Sequence, residues 1–131
     1  MTLDDMVAEW LEYAQRDLDV ARMLSDRADA NFNAIICYHA QQSAEKALKA
    51  ILVKNDIDPP KVHDLVQLCK MCGEFDSECN ALEKYCEVIN QYGNATRYPQ
   101  KNKPGIEDTE AAIQNAEKIL KWVSQKLRRE L

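Results

Sequence analysis

The sequence predicts an all-α fold, an antiparallel up-and-down bundle of about five helices. Apolar residues recur at helical spacing along most of the chain, and no alternating strand pattern occurs. Three glycines and four prolines in 131 residues are too few for a turn-rich β fold. They fall between the periodic stretches, where they stop helices. A chain of this length fits one domain, residues 1–131, and can bury roughly two-thirds of its unfolded surface. It therefore needs no disulfide or metal to fold.

The first helix is expected over about 3–25, opened by Thr2 with Asp5 three residues later in a capping arrangement. Its stripe is Met6, Val7, Trp10, Ala14, Leu18, Ala21 and Leu24, with Tyr13 at its margin. After a polar connection, the second helix is expected over about 32–55, ended by the stretch from Asn55 to Pro60. Ile35, Tyr38, Gln41, Ala44, Leu48, Ile51 and Leu52 form its stripe, and Gln42, Glu45, Lys46 and Lys49 occupy its other faces. A short third helix spans about 63–71, with Gly73 as its C-terminal cap. The fourth starts near Asp76 or Ser77 and stops at Gly93. The fifth runs over about 107–129, with Ala112, Ile113, Ala116, Ile119, Leu120, Val123 and Leu127 facing inward. Acids at its start and bases at its end suit the helix dipole.

Composition narrows function by exclusion. No apolar run reaches the length of about 18 residues that a membrane span needs, and the acidic N-terminus does not resemble a signal peptide. No membrane association and a cytoplasmic location are expected. The net charge of −5 resides in residues 1–30, with eight acids and three arginines; the remainder balances 14 against 14. An overall basic footprint for nucleic acid is absent. Two local basic stretches remain, Arg97 with Lys101 and Lys103, and Lys121, Lys126, Arg128 and Arg129.

The five cysteines, Cys37, Cys69, Cys72, Cys79 and Cys86, are odd in number and irregularly spaced, so free thiols are expected. Cys69 and Cys72 form a CxxC, but the later pair is seven residues apart, a poor fit to zinc. Neither a metal nor a cofactor is expected. No P-loop, GxGxxG, HExxH or GxSxG pattern occurs. Arg97 and Tyr98 lie in the longest connection, where a planar guanidinium suits phosphate and an aromatic ring can stack on a base. His63 opens the third helix beside Asp64, placed to anchor a loop or exchange a proton. His39 reads as a surface residue, the Asp17 and Asp19 pair as a solvated face, and Gln41 as an anchor for a neighbouring group.

The order of motifs is more specific than any one residue. The first helix carries Trp10, Ala14, Asp17, Leu18 and Ala21; the second carries Ala40, Gln42, Ala44, Glu45, Lys46, Ala47, Leu48 and Lys49. Pro60 with His63, Asp64 and Leu65 follows, then Arg97-Tyr98-Pro99. From about Trp10 to Val123 the chain resembles the HEPN domain, the higher-eukaryote and prokaryote nucleotide-binding family, in its small nucleotidyltransferase-substrate-binding type. The resemblance implies a helical bundle that forms homodimers and accompanies a minimal nucleotidyltransferase, often as a toxin–antitoxin pair. Many members are metal-independent RNases whose signature is an Arg, four to six residues, then a His. Here the positions after Arg97 that could match are Asn102, Lys103 and Pro104, and no His follows His63.

The expectation is therefore a domain without catalytic residues that binds nucleotide or RNA phosphate, or a nucleotidyltransferase partner. Its binding residues would be Arg97 and Tyr98, with His63, Gln42, Lys46 and Lys49 contributing. The alternatives are a divergent RNase toxin and a purely structural protein–protein module.

Overall fold

The computed structural model describes residues 1–92 and 103–130. They form five α-helices, α1 (Leu3–Asp26), α2 (Asn33–Lys54), α3 (Leu65–Phe75), α4 (Glu83–Asn90) and α5 (Ile106–Glu130). Two 3-10 turns, Ala30–Phe32 and Ser77–Leu82, lead into α2 and α4, and no strand occurs among the described residues. None of these helices is long and apolar enough to cross a membrane.

The ends of α1 and α5 follow from local chemistry. Thr2 Oγ1 accepts from the Asp5 N–H and Asp5 accepts from the Thr2 N–H, both at 3.1 Å, closing the expected capping box. Those contacts from Thr2 hold the Asp5 carboxyl below its usual range. Asp108 reaches back to the Gly105 N–H at 2.7 Å and starts α5 at Ile106.

α1 buries one stripe, Val7, Ala14, Leu18 and Ala21, and all seven apolar positions expected of α5 are buried. α2 differs, because all four other helices contact it. Its buried positions run round the whole helix, through Ile36, Cys37, Ala40, Ser43, Ala44, Ala47, Leu48 and Ile51. A helix covered on all sides is a central helix, and alanine at 40, 44 and 47 lets its neighbours approach closely.

Several boundaries depart from expectation. Ile35 is exposed and Ile36 takes the inward position. α2 does end at about the expected position, after Lys54, in a Schellman motif: Ile57 N–H donates to Leu52 O and Asp56 N–H to Val53 O, with Asp56 at φ 59°. α3 begins at Leu65, because Asp64 Oδ1 accepts from the Val66 and Gln67 N–H groups as its N-cap. Gly73 is interior to α3 and caps nothing. A Cβ there would lie 2.4 Å from Asn80 Oδ1, so the glycine admits the following 3-10 turn. The expected start of the fourth helix is that 3-10 turn, N-capped by Asp76. Lys126 of α5 ties it down, 2.9 Å from Asp76 and paired also with Glu78.

Leu48→Ala should cost about 2–5 kcal/mol in urea denaturation, because Leu48 is fully buried on the central helix. Ile35→Ala should cost under about 0.5 kcal/mol. The Lys126 tie predicts a pH dependence. Hydrogen bonding from Lys126 holds Asp76 below its usual range, so this contribution is complete above the ordinary carboxylate pKa and is lost as pH falls through the lowered folded value. The Lys126 pKa is correspondingly raised by Glu78 and Asp76, so its share persists below the ordinary lysine pKa and is lost only in strong base. Lys126→Met should lower the melting temperature at neutral pH, and the difference should vanish in acid below the carboxylate range.

Candidate functional site

Gln41, Glu45 and Lys49 follow one another at four-residue spacing and stack on one face of α2. The sequence places Glu45 and Lys49 on outward faces, yet the structure leaves their side chains only 5% and 8% exposed. The stretch leading into α3 covers them. Gln41 Nε2 donates to the His63 carbonyl at 2.6 Å, the anchoring role expected of it. His63 Nδ1 lies 2.9 Å from Glu45 Oε1, and Lys49 Nζ lies 3.1 Å from Glu45 Oε2. Each oxygen of this buried carboxylate therefore has its own partner, which a charge removed from water requires.

The next residue is held from the opposite side. Asn90, the last residue of α4, donates through Nδ2 to Asp64 Oδ1 at 3.0 Å and accepts from the Leu65 N–H at 3.1 Å. His63 and Asp64 are thus fixed between α2 and α4 before α3 begins. An ionised Glu45 can only accept, which makes Nδ1 of His63 the protonated nitrogen in the neutral ring. The His63 side chain is still 47% exposed, so an oriented imidazole is presented at the surface.

A second polar contact joins α1 to α2. Asp17, expected on a solvated face, is largely buried and takes His39 Nδ1 at 3.0 Å and the Lys46 amine. His39 is likewise a cross-helix partner and no free surface residue. Lys46 also stands 6.0 Å from the centroid of the Tyr13 ring. It lines a groove of about 510 Å³ with Trp10, Tyr13, Met6, Met1 and Glu9. Periodicity assigned Met6 and Trp10 to the core stripe and Tyr13 to its margin, and Trp10 and Met6 do pack against the core from its edge. Gln42 is half-buried one turn before Lys46. Arg97 and Tyr98 lie outside the described residues.

All five cysteines are buried thiols outside any disulfide. Cys69 Sγ donates to Cys79 O and Cys72 Sγ to Leu48 O, each at 3.3 Å. Burial pushes the Cys37 thiol up to about 12 and raises Cys72 also. Among the described residues no group of three or more His, Cys, Asp and Glu side chains is arranged to hold a metal ion.

Glu45→Ala should destabilise the fold by about 3–5 kcal/mol, since it leaves the buried Lys49 without its counter-ion. The double change Glu45→Met with Lys49→Met should recover most of that loss in urea denaturation. A double variant as unstable as Glu45→Ala would show that His63, and not the buried lysine, sets the cost.

The HEPN domain model matches residues 7–127. The chain is similar to the crystal structure of TT1696 from Thermus thermophilus, with TM-score 0.78 and 28% identity over 92% of this chain and 97% of that one. It shares its fold with ST0689, described as an archaeal HEPN homologue, with TM-score 0.69 and 24% identity over 92% and 96% of the two chains. No curated protein matches it. With the helix order and the family match in agreement, the chain belongs to the HEPN domain family.

Proposed function

We propose that this HEPN domain is a non-catalytic binding module for nucleotide or RNA phosphate that works as a homodimer beside a minimal nucleotidyltransferase. The carrying observation is the histidine inventory. The chain has two histidines, and both are bound through Nδ1 to carboxylates, His39 to Asp17 and His63 to Glu45. None follows Arg97 after four to six intervening residues, so the arginine keeps its phosphate chemistry and lacks the sequence-adjacent proton donor. Lys46 supports the binding half, because it opens on a groove with two aromatic side chains and a volume typical of small-molecule sites. Lys49 supports the site from inside, by holding Glu45.

The same His63 geometry favours a second reading, a divergent RNase. A carboxylate-oriented, half-exposed imidazole can act as a general acid or base toward a ribose hydroxyl.

Calorimetry with ATP should show binding by wild type, with weaker binding by Arg97→Ala and Lys46→Ala. No heat from wild type with ATP or other nucleotides would remove the nucleotide reading. Incubation with RNA should leave it intact, and expression should not arrest growth. Cleavage abolished by His63→Ala would replace the binding reading with the nuclease one. Sedimentation should give twice the mass of one chain.

A further inference from the structure

We infer that Cys69 and Cys86 form a redox site, a buried thiol pair that hydrogen peroxide converts into a disulfide joining α3 to α4. Direct contact sets this pair apart from the other cysteines. The Cys86 thiol donates to the Cys69 sulfur, and Cys69 Sγ donates in turn to Cys79 O at 3.3 Å. Cys72 donates instead to Leu48 O on α2, and Cys37 belongs to α2 itself. The topology explains why the two sulfurs meet. Gly73 admits the Asn80 side chain of the 3-10 turn, so the chain reverses closely after α3. α4 then packs along α3, with Cys69 and Leu65 buried on one side and Cys86, Leu82 and Ile89 on the other. Sulfurs already in contact can close to a bond with little movement of the backbone.

The same contact divides the roles. A hydrogen bond received from Cys86 holds the Cys69 thiol below its ordinary range, whereas Cys86 is raised by that contact and by burial. Cys69 is thus the attacking sulfur and Cys86 the resolving one. The Cys69 thiolate attacks one peroxide oxygen, the O–O bond breaks, and the departing hydroxide takes up the thiol proton as water. The Cys86 sulfur then attacks the sulfenic sulfur of Cys69. The S–O bond breaks, and hydroxide leaves with the Cys86 proton as a second water. Two thiols are oxidised and one peroxide is reduced to two waters. Both sulfurs are buried, so peroxide enters when α4 opens, and reclosure returns Cys86 to Cys69. Opening is plausible on length alone: α4 has eight residues, too few for a helix to persist without its neighbours. The disulfide ties down the helix whose last residue, Asn90, holds Asp64 beside His63. Oxidation therefore acts on the frame that presents the imidazole.

The test is hydrogen peroxide treatment of the folded full chain, followed by denaturation, alkylation and tryptic mapping. Cleavage after Lys61, Lys70, Lys84 and Arg97 puts Cys69 and Cys86 on separate peptides, and Cys72 with Cys79 on the one between them. One cross-link is expected, joining peptide 62–70 to peptide 85–97. Alkylated thiols should fall from five to three, and dithiothreitol should restore all five. The urea midpoint of the oxidised chain should rise by about 1 M, because the bond closes a loop of about 17 residues. Cys86→Ala should give no cross-link and let Cys69 proceed to the sulfinic acid. Cys72→Ala should keep the cross-link. Five thiols still alkylated in the wild type, a bond between Cys72 and Cys79, or the mixture of pairs that peroxide gives in urea overturns the inference. A urea midpoint that does not rise overturns it as well, since the bond then does not fit the native packing.

Discussion

A carboxylate inside a helical bundle must be answered charge for charge, and Glu45 is answered twice. Lys49, one turn along α2, neutralises it. His63, from the stretch before α3, takes its other oxygen. That second contact turns a cost into a topological device. The chain leaving α2 must return across the Glu45 face, so α3 starts where Asp64 can cap it and Asn90 can hold the cap. A hydrophobic replacement of the pair could match it in stability. It would not specify where the returning chain crosses α2.

Asp17 does similar work on the opposite flank. One carboxylate takes both His39 and Lys46 and sets the register of α1 against the central helix. The arrangement leaves the Lys46 amine beside Tyr13 at the edge of the α1–α2 groove. Packing and the lining of the groove therefore draw on the same side chains, which is why the candidate residues of α2 do not divide cleanly into core and site.

Much of this was legible in the residues. Thr2 with Asp5 marked the start of α1, and the apolar positions of α5 are the buried ones, because both helices are amphipathic and periodicity reports their inner face directly. For α2 the same reasoning ran out. A helix covered on every side has no single apolar stripe, so Glu45 and Lys49 read as surface although a returning segment buries them. Asp17 looked solvated because its partners are on another helix, 22 and 29 positions away. Gly73 looked like a cap because the approach of Asn80 that requires it is invisible in local sequence.

The buried thiols carry one more implication. Cys37 lies on α2, Cys69 and Cys72 on α3, Cys79 in the 3-10 turn and Cys86 on α4. A thiol that is buried, with a pKa pushed to about 12 as for Cys37, does not meet an alkylating reagent until its helix opens. The protein thus carries its own set of reporters, at least one in each of four consecutive elements. Their separate labelling rates would rank the opening free energies of those elements without any introduced probe.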